Sequence, residues 1–426
     1  MASPRTTTVP SIAEKNALAG IQLKQNDSVG TPNEKIYVEG KHTIRRKYES
    51  SATSILFLQS KRGVKWPFCA KIWLPCSNEV YNTSTIERRH RYTIEGLAFN
   101  HHWAPSVYRG IAPVIQLDKK TITLGKLIEH SGIADLDTSV EYALVMRELK
   151  QSSRLDLQLQ RKHFDKETEL QPLALQIAQM HRNLTRPSQD QDILEVIKKK
   201  WLLNRACFRK AIKKIKSPSL HLQSLFLYLF LWFLMLCIHK NFGKEIQQRQ
   251  SKVRRCHGDL KTNNIWLIGT QYNVLDCVDF QPDFCNIDPL SDVAMLVMDL
   301  ETQLSQHPSL PQNRVQPLIQ NFTNKYLEEM GETNEISHLL LKYYVTEKAI
   351  VCSYMCILFD SEYDHSLLEQ GKRYLETAKK HTKSLTLLAF ISWLKHLIPV
   401  ARPLDTKQGK AKFYNNVTLS ATNRRG

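Results

Sequence analysis

The most constraining feature of this chain is a loop at residues 256–265 that is followed closely by a second short segment at 274–280. The loop reads Cys-His-Gly-Asp-Leu-Lys-Thr-Asn-Asn-Ile, and the second segment reads Val-Leu-Asp-Cys-Val-Asp-Phe. They place Asp259 and Asn264 five positions apart on one loop, and they return Asp279 on the next strand. We expect a β-hairpin after the loop, which leaves the carboxylate of Asp259 exposed in a cleft.

These residue types suit chemistry on the terminal phosphate of a nucleotide. One carboxylate orients a hydroxyl and accepts its proton, and we assign this role to Asp259. An amide oxygen and a second carboxylate hold Mg²⁺, and these roles fall to Asn264 and Asp279. Asp276 competes with Asp279, but side chains alternate along a strand, so only one of the two faces the cleft. Asp279 is preferred because Phe280 follows it, as a Phe follows the metal-binding Asp in the Asp-Phe-Gly element of kinases. Asp276 is expected to make a structural hydrogen bond.

Five further residues are candidates for supporting roles. Lys71 lies in an apolar, β-rich stretch, where a charged side chain is expected to have a specific partner. In kinases a strand lysine beside the phosphates pairs with a helix glutamate, and Glu95 on the following helix is the natural partner. Lys261 is expected to contact the γ-phosphate. His257 is expected to position the loop, and Asp292 to accept hydrogen bonds from the loop backbone.

Most of these residues also have an ordinary structural interpretation. Asp259 alone suits a turn, and Lys71 alone suits an edge strand whose lysine reaches solvent. Glu95 and Lys261 suit a solvated surface, and Asn264 suits an ordinary loop. The combination of all of them at matching offsets favours the catalytic interpretation.

Hydrophobic patterns along the chain predict an α+β fold with two lobes. A small antiparallel sheet is predicted from β-rich runs at 53–59, 68–74, 111–117, 121–124 and 142–146, with a helix at 84–102. Helical periodicity dominates from residue 168, and Asp288 with Pro289 predicts a helix N-terminus. The predicted divisions are a disordered tail at 1–35, a sheet lobe at 36–146, a helical lobe with the loop at 147–382, and a C-terminal helix and basic tail at 383–426.

Two apolar stretches could be read as membrane-contacting segments. Residues 225–238 are uninterruptedly apolar, but spanning a bilayer takes about 20 residues, so we predict a buried core helix instead. A second stretch at 385–398 either docks on the body of the protein or lies on a membrane surface.

Net charge and cysteine usage limit the classes of partner. The formal net charge of +18 suits nucleotide phosphates, nucleic acid or an anionic membrane, or is a solvated basic surface. Aromatic residues are not interleaved with basic ones as in RNA-binding motifs, so nucleic acid is unlikely, and a peripheral membrane contact is not favoured. The nine cysteines are scattered singly and no signal peptide opens the sequence, which predicts reduced thiols in a cytoplasmic protein.

Taken together, these residues resemble the aminoglycoside phosphotransferase-like branch of the protein-kinase-like fold. The likeness is to the kinase-like domain of bacterial aminoglycoside phosphotransferase family enzymes, which are often fused to a P-loop domain. The specific matches are residues 256–265, 276–280 and 291–301, and weaker ones occur at 70–72, 95–108 and 141–146.

The resemblance implies a bilobal kinase fold that uses ATP or GTP with Mg²⁺. It also implies transfer of phosphate to the hydroxyl of a small molecule, with the nucleotide base against the connector near 141–148. A polycationic acceptor calls for carboxylates, and residues 192–216 are strongly basic instead, which argues against an aminoglycoside.

The sequence departs from the family pattern at three points. No glycine-rich loop precedes the strand of Lys71, and Lys-Thr-Asn-Asn replaces the familiar His-Pro-Gly-Asn after Leu260. No Gly-x-x-x-x-Gly-Lys-Ser/Thr motif occurs, so we expect the kinase-like part without a P-loop domain. The missing glycine loop keeps open the alternative of a pseudokinase or nucleotide-binding scaffold. The intact set of Asp259, Asn264, Asp279 and Lys71 argues against that alternative.

Overall fold

The computed structural model describes residues 38–50, 52–59, 67–77, 82–129, 137, 139–161, 166–187, 192–278, 282–359 and 366–397. The predicted tail at 1–35 and most of the basic C-terminal tail lie outside these ranges.

Six antiparallel strands form a closed barrel in the N-terminal lobe, in the order β1-β2-β3-β6-β4-β5. The strands are β1 (Gly40–Glu49), β2 (Thr53–Leu58), β3 (Phe68–Trp73), β4 (Tyr108–Leu117), β5 (Thr121–Leu124) and β6 (Tyr142–Arg147). The prediction of a small antiparallel sheet lobe is confirmed, apart from β1, which the sequence patterns did not indicate.

Strand β6 shows why this sheet holds the lobe together. Successive side chains of a strand point to opposite faces. Ala143 and Val145 point into the barrel core, whereas Tyr142, Leu144 and Met146 belong to a second apolar cluster that includes Leu97 of helix α1 (Ile86–Trp103). Both faces of β6 are therefore covered, which explains its continuous apolar sequence.

The C-terminal lobe is mainly helical, which confirms the α+β class and the two-lobed organisation. Its helices are α2 (Leu155–Leu159), α3 (Lys166–Arg182), α4 (Ile193–Lys214), α5 (Pro218–Gln248), α6 (Pro282–Cys285), α7 (Pro289–Ser305), α8 (Gln312–Met330), α9 (Glu335–Phe359) and α10 (Ser366–Leu397). The short strands β7 (Arg254–Arg255) and β10 (Asn286–Ile287) pair with each other, as do β8 (Ile265–Ile268) and β9 (Gln271–Val274).

Helix α7 is the centre of this lobe. Its N-terminus is the predicted one: Asp288 accepts a hydrogen bond from the Leu290 amide at 3.0 Å, and Pro289 occupies the first turn. The helix is buried over nearly its whole length because α2, α8, α9 and α10 pack around it. Two of its buried carboxylates, Asp292 and Asp299, therefore have fixed positions under the loop at 256–265.

Helices α4 and α5 form a hairpin that packs on α9 and α10. The prediction that residues 225–238 form a buried core helix is wrong for one side of this run, because Phe226, Leu229 and Leu236 are exposed. Apolar composition does not determine which sides of a helix have neighbours; here Leu227 is covered, whereas those three residues are not. Among the described residues, none of the helices combines the length and the hydropathy that a transmembrane span requires.

Candidate active site

The first half of the loop at 256–265 is fixed by Asp292. Its carboxylate accepts hydrogen bonds from the backbone amides of His257 at 2.9 Å and Gly258 at 2.8 Å, and it lies 3.1 Å from the ring of His181. All of these groups are buried or nearly so, and the bonds with His181 and His257 hold the pKa of Asp292 below its usual value although burial acts to raise it. The expected architectural role of Asp292 is confirmed.

The second half of the loop is fixed by Asp299, which sequence reasoning did not single out. Its carboxylate accepts hydrogen bonds from the Thr262 amide at 2.8 Å and from the Thr262 hydroxyl at 2.5 Å. The hydroxyl of Tyr374 donates to its other oxygen at 2.8 Å. Asp299 lies seven positions after Asp292, which puts both carboxylates on one face of α7. This spacing was the signal in the sequence.

His257 connects the loop to the hairpin that follows it. Its ring lies 3.0 Å from the carbonyl oxygen of Leu275, and its own carbonyl accepts a hydrogen bond from the Val278 amide at 2.8 Å. The side chain is fully buried, and burial lowers the pKa of His257. The predicted positioning role agrees with these contacts.

Gly258 has a conformation that other residues rarely adopt. Its φ is +85°, and a Cβ at this position would lie 2.9 Å from the carbonyl oxygen of Phe284 and 3.0 Å from Cβ of Val278. Only glycine therefore allows the loop to approach α6 this closely.

Replacement of Gly258 by alanine is expected to destabilise the fold more than replacement of Gly269. Both have positive φ, which costs a non-glycine residue about 1–2 kcal/mol, but nothing lies within 4 Å of a Cβ at Gly269. The backbone contact at Gly258 adds roughly 1–3 kcal/mol of overpacking. Denaturant titration of both variants measures the difference, and equal losses of unfolding free energy would contradict the described loop conformation.

The loop brings three predicted site residues together. The amide nitrogen of Asn264 donates to the backbone oxygen of Asp259 at 2.9 Å and to its carboxylate at 3.1 Å. Lys261 Nζ lies 3.1 Å from the other carboxylate oxygen of Asp259. Because both bonds of Asn264 use its nitrogen, its side-chain oxygen faces away from Asp259.

Asp276, the residue that competes with Asp279 in the sequence interpretation, pairs with Lys71. Lys71 Nζ donates to Asp276 Oδ1 at 2.8 Å, and 68% of the Asp276 side chain is accessible to solvent. The hydrogen bond expected of Asp276 is therefore formed, with Lys71 as its partner. Strand alternation does not apply to Asp276, because β9 ends at Val274 and the backbone of Asp276 has φ of 64°. Asp279 lies outside the described residues.

Contacts from the N-terminal lobe hold Asp276 in this conformation. The Asp276 amide donates to the hydroxyl of Tyr108 at 3.0 Å, and the Cys277 amide donates to Asn100 at 2.9 Å. The Leu275 amide donates to the backbone oxygen of Asn264 at 2.8 Å. The register of the β8–β9 hairpin therefore places Asn264 beside the residue that precedes Asp276.

Glu95 does not have the partner that was expected. Its carboxylate accepts a hydrogen bond from Arg91 Nε at 2.8 Å, one turn earlier on α1, and the described ion pair of Lys71 is with Asp276. The predicted ion pair between Lys71 and Glu95 is therefore wrong. The physical reason is that an i, i+4 partner of opposite charge was available on the same helix face.

The charges of the cleft support one another. The positive charge of Lys71 lowers the pKa of Asp276, with smaller contributions from His257 and Lys261. Burial is the strongest single influence and acts to lower the pKa of Lys261, but Asp259, Cys352 and Asp299 together outweigh it and raise that pKa. Near neutral pH, Lys261 is thus a cation and Asp276 an anion.

The turn between β1 and β2 differs from a phosphate-binding loop. The Ser50 hydroxyl accepts the backbone amides of Ala52 at 3.3 Å and Thr53 at 3.0 Å, and the Ser50 amide donates to the Thr53 carbonyl at 2.9 Å. These amides are used within the turn and are not open to a ligand.

No family model matches this chain, and no curated protein sequence matches it. Solved structures do resemble it. A choline kinase from Cryptosporidium parvum Iowa II is 14% identical, covers 83% of this chain and 93% of its own, and has a TM-score of 0.47. The ADP-bound aminoglycoside phosphotransferase APH(2'')-Ib is 12% identical, with coverages of 82% and 96% and a TM-score of 0.41.

The amicoumacin kinase hAmiN, in complex with AMP-PNP and Ca²⁺, is a third similar structure. It is 11% identical, covers 80% of this chain and 88% of its own, and has a TM-score of 0.42. An aminoglycoside phosphotransferase is thus among the structures that this chain resembles, as the motifs predicted. Identities and TM-scores are low, so the interpretation of the site depends on the residues of this chain alone.

Proposed function

We propose that this protein transfers the terminal phosphate of ATP or GTP to a hydroxyl group of a small molecule, with Mg²⁺ as the metal ion. The observation that carries the proposal is the continuous set of charged and amide groups from Lys71 through Asp276 to Lys261, Asp259 and Asn264. Phosphoryl transfer depends on positioning and on electrostatic stabilisation, and this set supplies both.

The donor set fits a hard divalent cation. Mg²⁺ prefers oxygen ligands, and the site offers the side-chain oxygen of Asn264 and the solvent-accessible carboxylate of Asp276. We assign the metal to these two residues, and Asp279 remains the competing carboxylate. When bound, the ion would neutralise charge on the phosphate oxygens.

The remaining residues act on the substrates. Asp259 orients the acceptor hydroxyl and accepts its proton, and the amide of Asn264 keeps its carboxylate directed. Lys71 and Lys261 stabilise the negative charge of the phosphates. Glu95 is assigned only an indirect role near the nucleotide, because it pairs with Arg91.

A polycationic acceptor does not suit this chain. Lys348 on α9 is buried and lies close enough to Lys200 on α4 that burial and its charge together lower the pKa of Lys200 to about 8. Lys348 is one helical turn from Cys352, which in turn lies near Lys261. Positive charge near Lys261 would repel a polycation, so we propose a neutral or anionic acceptor. The described cysteines are all free, as a reducing compartment such as the cytoplasm would keep them.

A thermal-shift experiment with ATP, GTP and Mg²⁺ tests the proposal. We expect wild-type protein to gain Tm with nucleotide only when Mg²⁺ is present, since a ligand at 100 times its Kd adds roughly 2.7 kcal/mol of stability. Asp276→Ala is expected to lose this metal-dependent gain, and Asp279→Ala is the matched comparison. Loss in Asp279→Ala alone would move the metal to Asp279, and no shift with either nucleotide would contradict the proposal.

The second candidate function is a scaffold that keeps the fold without catalysis. The closed β1–β2 turn favours it, because a turn whose amides are already bonded gives less support to phosphates. The same thermal-shift series distinguishes the two, since a scaffold of this kind would show no metal-dependent difference between wild type and Asp276→Ala.

A further inference from the structure

Helix α5 exposes an apolar stripe on one side. Leu222, Leu225, Phe226, Leu229 and Leu236 are each 39–70% exposed. At 3.6 residues per turn they fall within one sector about 100° wide, and they extend along about 21 Å of helix. A helix at the surface of a globular protein ordinarily turns such a stripe toward the core.

The stripe is not the side by which the α4–α5 hairpin packs. Tyr228 faces α4, where its hydroxyl accepts a hydrogen bond from Arg205 at 2.6 Å and its ring lies 6.2 Å from Phe208. Ser224 and Leu227 are buried. These positions lie on the opposite and lateral faces of α5, so the apolar stripe is directed away from the body of the protein.

The hairpin is also strongly cationic. Residues 193–248 contain eleven Lys or Arg residues and two Glu residues, Glu195 and Glu245. Those that are exposed on α4 are Lys198, Lys199, Arg209, Lys210, Lys213 and Lys214. Lys240 and Lys244 are exposed on α5, and helical periodicity puts both in line with the apolar stripe, just beyond Leu236. Positive charge therefore borders the apolar surface.

We propose that the α4–α5 hairpin docks on an anionic lipid bilayer, with the apolar stripe at the boundary between headgroups and acyl chains. A helix with an exposed apolar face bordered by lysine and arginine binds in this way, and anionic headgroups attract the basic residues. A second copy of this chain would bring two cationic hairpins together, which their repulsion opposes. Nucleic acid would use the charge but leave the apolar stripe exposed to water.

Co-sedimentation of the full chain with lipid vesicles tests this docking. One set of vesicles is phosphatidylcholine alone, and the other contains roughly 30% phosphatidylserine. We expect at least about tenfold stronger binding to the anionic vesicles, and weaker binding as salt rises. Nucleotide is omitted, so the outcome is independent of the proposed phosphotransferase activity.

Two variants separate the apolar and the charged contributions. Phe226→Ser/Leu229→Ser removes part of the stripe, and Arg209→Gln/Lys213→Gln/Lys214→Gln removes three exposed charges. Each is expected to weaken binding to anionic vesicles by at least about tenfold. Ile115→Ser is the matched control, because Ile115 is an exposed apolar residue on β4, and it should bind like wild type.

Three results would overturn the proposal. They are equal or absent binding to the two vesicle types, full binding by the stripe variant, and a wild-type dimer that the stripe variant converts to monomer. The last result would assign the stripe to a second copy of the chain. Thermal unfolding of each variant confirms that it is folded before binding is measured.

Discussion

Replacement of Asp259 by asparagine is expected to lower phosphate transfer by about 10²–10⁴-fold, the usual contribution of a positioned general base. Asparagine has nearly the same shape, so its oxygen can still accept the hydrogen bond from Asn264. The amide cannot accept a proton, and the attraction to Lys261 at 3.1 Å is weakened. ADP release from ATP with Mg²⁺, with water as the acceptor of last resort, measures the rate.

Two controls make this result interpretable. Asp259→Asn should keep a Tm close to that of wild type and should still show the metal-dependent shift with nucleotide, because Asp259 is not assigned to the metal. Asp118→Asn, in the exposed turn between β4 and β5, should leave the rate unchanged. An Asp259→Asn variant as fast as wild type would remove Asp259 from the mechanism.

Of the substitutions proposed for the site, replacement of Asp292 by alanine is expected to cause the largest loss of unfolding free energy. The substitution leaves the amides of His257 and Gly258 and the ring of His181 without their buried acceptor. Each unsatisfied buried donor costs about 1–3 kcal/mol, so a total on the order of 3–5 kcal/mol is expected. Denaturant titration measures it, with Glu195→Gln as the control.

Glu195 pairs with Lys198 on the exposed side of α4, and a solvent-exposed pair of this kind contributes little to stability. Equal losses in Asp292→Ala and Glu195→Gln would contradict the described anchoring of the loop.

The carboxylate of Asp292 also predicts that stability depends on pH. Since the folded pKa of Asp292 is lowered, its stabilisation is present above the unfolded pKa of about 4 and is lost as pH falls further. Asp292→Ala should lack this component of acid sensitivity.

Sequence patterns predicted the parts of the fold in which local and tertiary preferences agree. Strand β3 and helix α1 lie within two residues of their predicted bounds. Strand β1 was missed because most of its side chains are charged or polar and exposed. Its strand conformation depends on pairing with β2 and β5 to close the barrel, which its own sequence does not indicate.

Site residues were predictable where loop spacing alone sets the geometry. One loop contains Asp259, Lys261 and Asn264, and helix α7 fixes its backbone by hydrogen bonds, so the three residues lie together. The partner of Lys71 was not predictable, because it depends on how far β9 extends and on the turn at Asp276. A run of apolar residues likewise does not specify which of its sides is covered, as the exposed face of α5 shows.

The most direct test of the account is to measure binding of Mn²⁺, in place of Mg²⁺, by electron paramagnetic resonance. Asp276→Asn and Asn264→Leu are compared with wild type in the presence and absence of a non-hydrolysable ATP analogue. The account predicts Mn²⁺ binding by wild type that strengthens with the nucleotide and falls by at least about tenfold in both variants. Binding that is indifferent to the nucleotide, or equal in all three proteins, would contradict a metal–nucleotide site between Asn264 and Asp276.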